Sequence, residues 1–155
     1  MINDRPEFTS EKPLADLISQ WLEDRRLLLA QYGDLANIKP FSAQNTMHRE
    51  LLREFCQSMV DYLSRVHFEV FEKLYKPEKF ISELAPKNRL IDLTNQVELT
   101  TDDFLDFNDK YLATDDLATL SSDLSTLGED LAKRFEIEDE VIALTRQAIG
   151  TSSDD

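Results

Sequence analysis

The chain has 155 residues, a formal charge of −14 at neutral pH, three glycines, five prolines and one cysteine. This acidic balance argues against binding nucleic acid or an anionic membrane surface through a basic patch. The single cysteine excludes a disulfide within the chain and is typical of a reducing compartment. No apolar run reaches membrane length and no stretch has the pattern of a signal peptide, so we expect a cytoplasmic protein that enters no membrane.

The spacing of apolar residues predicts four long amphipathic helices. Their approximate bounds are 11–32, 43–75, 87–112 and 115–149. Gly33 is expected to end the first helix, and Ser42 is expected to cap the second. The sequence shows few glycines and more Leu than Val or Ile, which favours helices over strands.

Short connections between these helices predict one domain at residues 11–150, between a flexible arm at 1–10 and a flexible tail at 151–155. The predicted fold is all-α, with more than about 60% helix, and is an antiparallel four-helix bundle. A short extra helix is expected near residues 78–85. Gly128 interrupts the last helix with a residue of low helix propensity, which indicates a close approach of a neighbouring helix.

Charged side chains interrupt the apolar stripes of two helices. Arg25 lies within the stripe of the first helix, and Arg134 and Glu138 lie within that of the last. An unpaired buried charge is costly, and Arg25 and Glu138 lie at matching depth if the last helix ends level with the start of the first. We therefore predict that they form a buried ion pair, with a polar ligand pocket as the alternative.

Known motifs for metal or nucleophilic chemistry are missing from the sequence. His48 and His67 have Asn45 and Ser64 three residues before them, where a di-iron bundle needs Glu, and one cysteine leaves no usual zinc spacing. Cys56 and His67 are roughly 16 Å apart along the second helix, which is too far for a nucleophile and its base. We expect both to pack at the edge of the core, with His67 among its buried polar residues. The predictions are no enzyme, no metal and no cofactor; a catalytic thiol would need an exposed Cys56 with a lowered pKa.

The second helix has an apolar face and an outer face that carries two aromatic residues. The apolar face is formed by Leu52, Phe55, Cys56, Met59, Leu63, Val66, Val70 and Leu74. On the outer face we predict a partner-binding surface formed by Gln57, Asp61, Phe68, Glu72 and Tyr75. An exposed aromatic ring among acids suits a basic protein partner, because the ring supplies buried area while the acids orient the partner. The alternative is that the segment 78–85 folds back and covers Phe68.

Specific residues of the second helix also suggest a family. The run from Phe55 to Ser64, followed by His67-Phe68-Glu69, resembles the Rsd/AlgQ family of bacterial anti-sigma factors. Similar stretches are Trp21-Leu22 with Arg25, Ile38-Lys39-Pro40, Leu127-Gly128-Glu129, Arg134-Phe135-Glu136 and Glu138-Asp139. The resemblance extends from about Leu14 to Ile149. The chain departs from the family at Arg65-Val66, where a small Ala-Gly pair is usual, and at residues 77–88.

The resemblance implies a helical bundle that binds the C-terminal region of the primary sigma factor, which recognises the −35 promoter element through a helix-turn-helix. Such binding would sequester sigma and favour alternative sigma factors. A DNA-reading surface is basic, so an acidic bundle is its electrostatic complement. We expect a monomer that forms a one-to-one complex and does not contact nucleic acid itself. The alternative is a helical-bundle sensor that binds a small ligand or a metabolic protein.

Overall fold

The structure, a computed structural model, describes residues 13–74 and 87–153. Helix accounts for 86% of the structure, and no strand occurs within these two ranges. The prediction of an all-α fold is therefore confirmed. The α-helices are α1 (Leu14–Ala36), α2 (Thr46–Arg65), α3 (Lys87–Leu99), α4 (Thr101–Ala113) and α5 (Leu120–Ser153). The predicted arm at 1–10 and the short helix predicted at 78–85 lie outside the described residues.

The ends of α1 and α2 differ from those predicted. Gly33 does not end α1, because its backbone does not adopt the left-handed conformation with positive φ that usually stops a helix at glycine. The helix continues to Ala36, and the N–H of Asn37 donates to the carbonyl of Gly33 at 3.1 Å. Asn45, and not Ser42, caps α2: its side-chain oxygen accepts hydrogen bonds from the backbone N–H groups of Met47 and His48.

The second predicted helix does not stay α-helical to its end. It widens into a π-helix at Val66–Phe71 and returns to α-helix at Glu72–Leu74. A π turn changes the angular spacing of the side chains that follow it, and such turns often occur at functional sites. Val70 and Phe71 are consequently both buried, and the ring of Phe71 lies against that of Trp21 with 5.9 Å between centroids. The α-helical spacing alone did not place Phe71 in the core.

The third predicted helix is two helices, separated at Thr100. The hydroxyl of Thr100 donates a 2.6 Å hydrogen bond to the carbonyl of Val97, which also accepts from the Thr100 N–H at 3.0 Å. A side chain that competes for a backbone carbonyl interrupts the regular helical ladder. The predicted span 87–112 is therefore corrected to α3 and α4.

The last helix starts later and ends later than the predicted span 115–149. Before it, the carboxylate of Asp116 accepts a 2.9 Å hydrogen bond from the N–H of Ala118, which forms a turn instead of a helical start. The helix α5 begins at Leu120 and continues beyond Gly150 to Ser153.

Contacts between α1 and α5 show that these two helices run in opposite directions. Trp21, early in α1, meets Glu138 of α5, whereas Tyr32, late in α1, donates to the carbonyl of Leu124 near the start of α5. The core lies between the helices, and the predicted apolar face of the second helix is buried from Leu52 to Val70. The complete antiparallel four-helix bundle with an extra helix stays a prediction.

Gly128 lies where α5 approaches Tyr32 of α1. A Cβ atom added at Gly128 would overlap the Tyr32 hydroxyl oxygen and stand 2.8 Å from the ring carbon Cζ of Tyr32. That hydroxyl donates a 2.7 Å hydrogen bond to the carbonyl of Leu124. This is the close approach between helices that the sequence indicated at Gly128.

Replacing Gly128 by Ala should lower the free energy of unfolding by about 1–3 kcal/mol, because Tyr32 must move and lose its hydrogen bond. Gly33→Ala is a matched control in α1, since nothing lies within 4 Å of a Cβ added there. That change should be neutral or stabilise the protein by up to about 1 kcal/mol through helix propensity. Denaturant unfolding of both variants measures the difference; equal effects would contradict the close approach.

Candidate functional site

A cluster of polar side chains crosses the core and centres on Glu138. The Glu138 side chain is fully buried, and its Oε1 atom lies 2.9 Å from Arg25 Nη2 and 3.2 Å from Trp21 Nε1. The Tyr62 hydroxyl donates to the same oxygen, and Arg134 Nε donates to Oε2 at 2.7 Å. The structure thus brings Arg25 and Glu138 together and adds Arg134 as a second cation.

Arg25 connects this buried cluster to the surface. Its Nη1 atom lies 2.7 Å from Asp139, whose carboxylate is exposed, and its guanidinium lies 4.6 Å from the centroid of the Phe135 ring. Burial opposes the charge of Arg25, but the hydrogen bond to Asp139 and the nearby Glu138 raise its pKa above the ordinary value. Its Nε atom is buried and has no hydrogen-bond partner in the described part of the chain.

Arg134 joins the cluster to the break between α3 and α4. Its side chain is buried, and its Nη1 atom donates to the hydroxyls of Thr100 and Thr101 at 3.1 and 3.2 Å. The carbonyl of Val97 lies 3.4 Å from the same nitrogen. The sequence placed Arg134 in the apolar stripe but did not identify these partners.

Tyr62 and Trp21 were not predicted as members of the cluster. Trp21 Nε1 donates to the Tyr62 hydroxyl at 2.8 Å, and both side chains are buried. Burial, together with the negative charge of Glu138, raises the pKa of Tyr62 far above its ordinary value, so this hydroxyl stays neutral and donates. Donors therefore occupy both carboxylate oxygens of Glu138, which favours a closed structural cluster over a polar ligand pocket.

The outer face of the second helix is exposed at four of its five predicted partner-binding residues. Gln57, Asp61, Phe68 and Glu72 are exposed, and Tyr75 lies outside the described residues. The amide of Gln57 donates to Asp61 at 3.0 Å. The Phe68 side chain is 63% exposed. The alternative that residues 78–85 cover its ring concerns a segment outside the described residues.

His67 does not lie in the buried polar cluster, although the sequence predicted it among the buried polar residues of the core. Its side chain is 43% exposed, and its Nδ1 atom lies 2.9 Å from Glu98 of α3. The Phe68 ring contacts it edge-on with 4.6 Å between ring centroids. This position at the margin of the second helix brings His67 to a surface carboxylate and not to Glu138.

A groove of about 330 Å³ runs between α1 and α2 and includes Asp61. Asp24, Asp34 and Asp61 contribute carboxylates to its lining, Leu27 contributes a side chain that is 49% exposed, and Arg65 contributes a guanidinium. Of the predicted partner-binding residues only Asp61 lines this groove, and no residue of its α1 side was predicted. The available signal was Leu27, an apolar residue that lies off the stripe of the first helix.

Cys56 has properties opposite to those that thiol chemistry requires. Its side chain is buried, and burial raises the pKa of the thiol to about 11.

In the two described ranges, no group of three or more His, Cys, Asp or Glu residues is arranged to hold a metal ion. Among the helices in these ranges, none combines the length and the hydropathy that a membrane-spanning segment requires.

Comparison with known proteins gives a consistent set of matches. A family model described as "Regulator of RNA polymerase sigma(70) subunit, Rsd/AlgQ" matches residues 9–146. The chain is 37% identical over 137 residues to "Regulator of sigma D" of Pectobacterium carotovorum subsp. carotovorum (strain PC1), a match that covers 83% of this chain and 86% of that protein. It is 34% identical over 137 residues to proteins of the same name from Shigella dysenteriae serotype 1 (strain Sd197) and Escherichia coli (strain K12 / DH10B). Each of these two matches covers 85% of both chains.

Proposed function

Because the chain belongs to the Rsd/AlgQ family of regulators of the RNA polymerase sigma(70) subunit, we propose that it is an anti-sigma factor that binds the C-terminal region of the primary sigma factor. Occupying this region sequesters sigma from RNA polymerase and from the −35 promoter element, which leaves more polymerase for alternative sigma factors. The proposed complex contains one copy of each protein and forms in the cytoplasm, without direct contact between this protein and nucleic acid.

The observation that carries this proposal is the acidic groove between α1 and α2. Asp61 belongs both to this groove and to the exposed outer face of α2, so the two surfaces are continuous. A region that reads DNA is basic, and carboxylates at the rim of a groove attract and orient such a partner. The exposed Leu27 in the groove and Phe68 beyond it supply apolar area that the partner can bury.

The role we propose is regulatory binding and not catalysis. The thiol of Cys56 is buried and its pKa is raised, which removes the nucleophile that a catalytic thiol protein would need. The second candidate, a sensor for a small ligand in the polar core, would have to displace a donor from Glu138, since both of its carboxylate oxygens accept hydrogen bonds. A protein partner at the outer surface requires no such rearrangement.

Replacing Asp61 by Ala should weaken binding of the sigma C-terminal region by about 1–2 kcal/mol, which is about 5-fold to 30-fold in Kd. Stability should change by less than about 0.5 kcal/mol, because the carboxylate is exposed. Asp109→Ala on α4 is the matched control, since Asp109 is also exposed but lies outside the groove. Titration calorimetry measures the affinities, and stopped-flow mixing should show that added salt slows association.

Two outcomes would contradict the proposal at different levels. If the wild-type protein does not bind the folded sigma region at low salt, the proposed function is wrong. If it binds but Asp61→Ala and Asp109→Ala behave alike, the partner docks on another face.

A further inference from the structure

Arg65 places a positive charge inside the acidic groove between α1 and α2. Its Nη1 atom lies 2.6 Å from Asp24 Oδ2, so the pair links the two helices. The Asp24 side chain is 15% exposed, whereas that of Arg65 is 42% exposed. One carboxylate of the groove is therefore already bound by a cation of the chain itself.

A second carboxylate lies on the other side of the same guanidinium. Arg65 Nε is 3.9 Å from Glu69, four residues further along the helix, and the Glu69 side chain is half exposed. The 3.9 Å separation places the two side chains next to each other, and the arginine side chain is long and flexible. Arg65 can thus leave Asp24 and turn to Glu69 without losing a carboxylate partner.

We propose that Arg65 fills, in the free protein, the position that a lysine or arginine of the protein partner takes in the complex. In the bound state the partner's cation pairs with Asp24, its aliphatic stem lies on Leu27, and Arg65 turns to Glu69. Arg65 thereby determines which basic segments the groove accepts, because only a segment whose cation competes with Arg65 gains the Asp24 contact. This inference rests on the proposed function, and it adds the residue that sets partner selectivity.

The chemistry of the groove supports a competing cation over an arginine that binds an acidic partner. The carboxylates of Asp24, Asp34 and Asp61 line the same groove, so an acidic segment entering it would meet like charges. A basic segment meets those carboxylates and must displace only Arg65. The two possibilities predict opposite effects of removing the arginine.

Binding of the purified sigma C-terminal region, measured by titration calorimetry at low salt, tests the proposal. Arg65→Gln should tighten binding about threefold to fivefold, the factor that corresponds to releasing an exposed ion pair. Arg53→Gln is the matched control: Arg53 is another exposed arginine of α2, pairs with Glu50 and lies outside the groove. This control reports how much affinity changes when any positive charge is removed.

A double-mutant cycle isolates the pair. In the wild-type background, Asp24→Asn should change the affinity little. The complex loses the ion pair between Asp24 and the partner's cation, but the free protein also loses the ion pair between Asp24 and Arg65. In the Arg65→Gln background the same change should abolish the gained affinity. Circular dichroism of each variant checks that its helices are intact.

Each contrary result has a separate meaning. If Arg65→Gln weakens binding, Arg65 contacts the partner directly. If Arg65→Gln and Arg53→Gln bind with equal affinity, Arg65 has no specific part in binding. Either result overturns the inference while the proposed function stands. No binding by the wild-type protein overturns the proposed function and the inference with it.

Discussion

Replacing Glu138 by Gln is expected to lower the free energy of unfolding by about 3–5 kcal/mol, although the side chain keeps its shape. The carboxylate lies between the guanidinium groups of Arg25 and Arg134, and its neutralisation leaves two cations in the core beside one amide. In the wild-type protein, the Tyr62 hydroxyl and Arg134 Nε donate to the two carboxylate oxygens of Glu138. The glutamine side chain would place an N–H group against one of these two donors, so that one hydrogen bond is lost. Packing volume is nearly unchanged, so the loss reports on electrostatics and hydrogen bonds.

Glu136→Gln provides the control for this change. Glu136 is an exposed residue of the same helix, and its replacement should alter stability by less than about 0.5 kcal/mol. Urea denaturation followed by circular dichroism measures both variants. Equal stabilities of Glu138→Gln and the wild type would show that the buried charges do not need this carboxylate.

Replacing Arg25 by Ala is expected to lower the free energy of unfolding by about 2–4 kcal/mol. The change removes hydrogen bonds to Glu138 and Asp139 and the contact of the guanidinium with the Phe135 ring. The loss should be smaller than that of Glu138→Gln, because Arg134 still neutralises Glu138 in the absence of Arg25. The order of the two effects is therefore part of the prediction.

The neighbouring arginine allows a control at nearly the same place in the sequence. Arg26 is 65% exposed and pairs with Glu23 on the surface of α1, so Arg26→Ala should change stability by less than about 1 kcal/mol. Thermal unfolding of both alanine variants gives the comparison. Similar melting temperatures for the two would show that the buried pair contributes no more than a surface pair.

The break at Thr100 and the π turn at Val66–Phe71 could not be predicted from periodicity. Both also have partners that come from elsewhere in the chain: Arg134 of α5 bonds the hydroxyl of Thr100 at the break, and Phe71 packs on Trp21 of α1. A helical pattern shows which side chains are apolar, but it does not show where a hydroxyl such as that of Thr100 will bond the backbone or which distant side chain will contact it. The third helix was for this reason predicted as continuous.

The groove between α1 and α2 could likewise be predicted only in part from the sequence. Asp61 was identified from the outer face of α2, whereas Asp24, Leu27 and Asp34 join it because α1 lies alongside. Arg65 was noted as a departure from the family pattern, but its pairing with Asp24 spans 41 residues of sequence and appears only in the folded chain. Which residues form a surface site between two helices depends on how the helices are aligned, and the sequence of one helix does not determine that alignment.

The sequence by itself determined that this protein is helical, that its core is lined by the apolar stripes of long helices, and that it belongs to a family of sigma-factor regulators. It also indicated the pair of Arg25 and Glu138, because a charge within an apolar stripe must find a partner. Only the tertiary structure decided that Tyr62, Trp21 and Arg134 complete this cluster and that Arg65 stands within the acidic groove. The physical reason is that local periodicity specifies which face of a helix is buried, whereas the partners of a side chain depend on how far and at what rotation one helix is placed against the next.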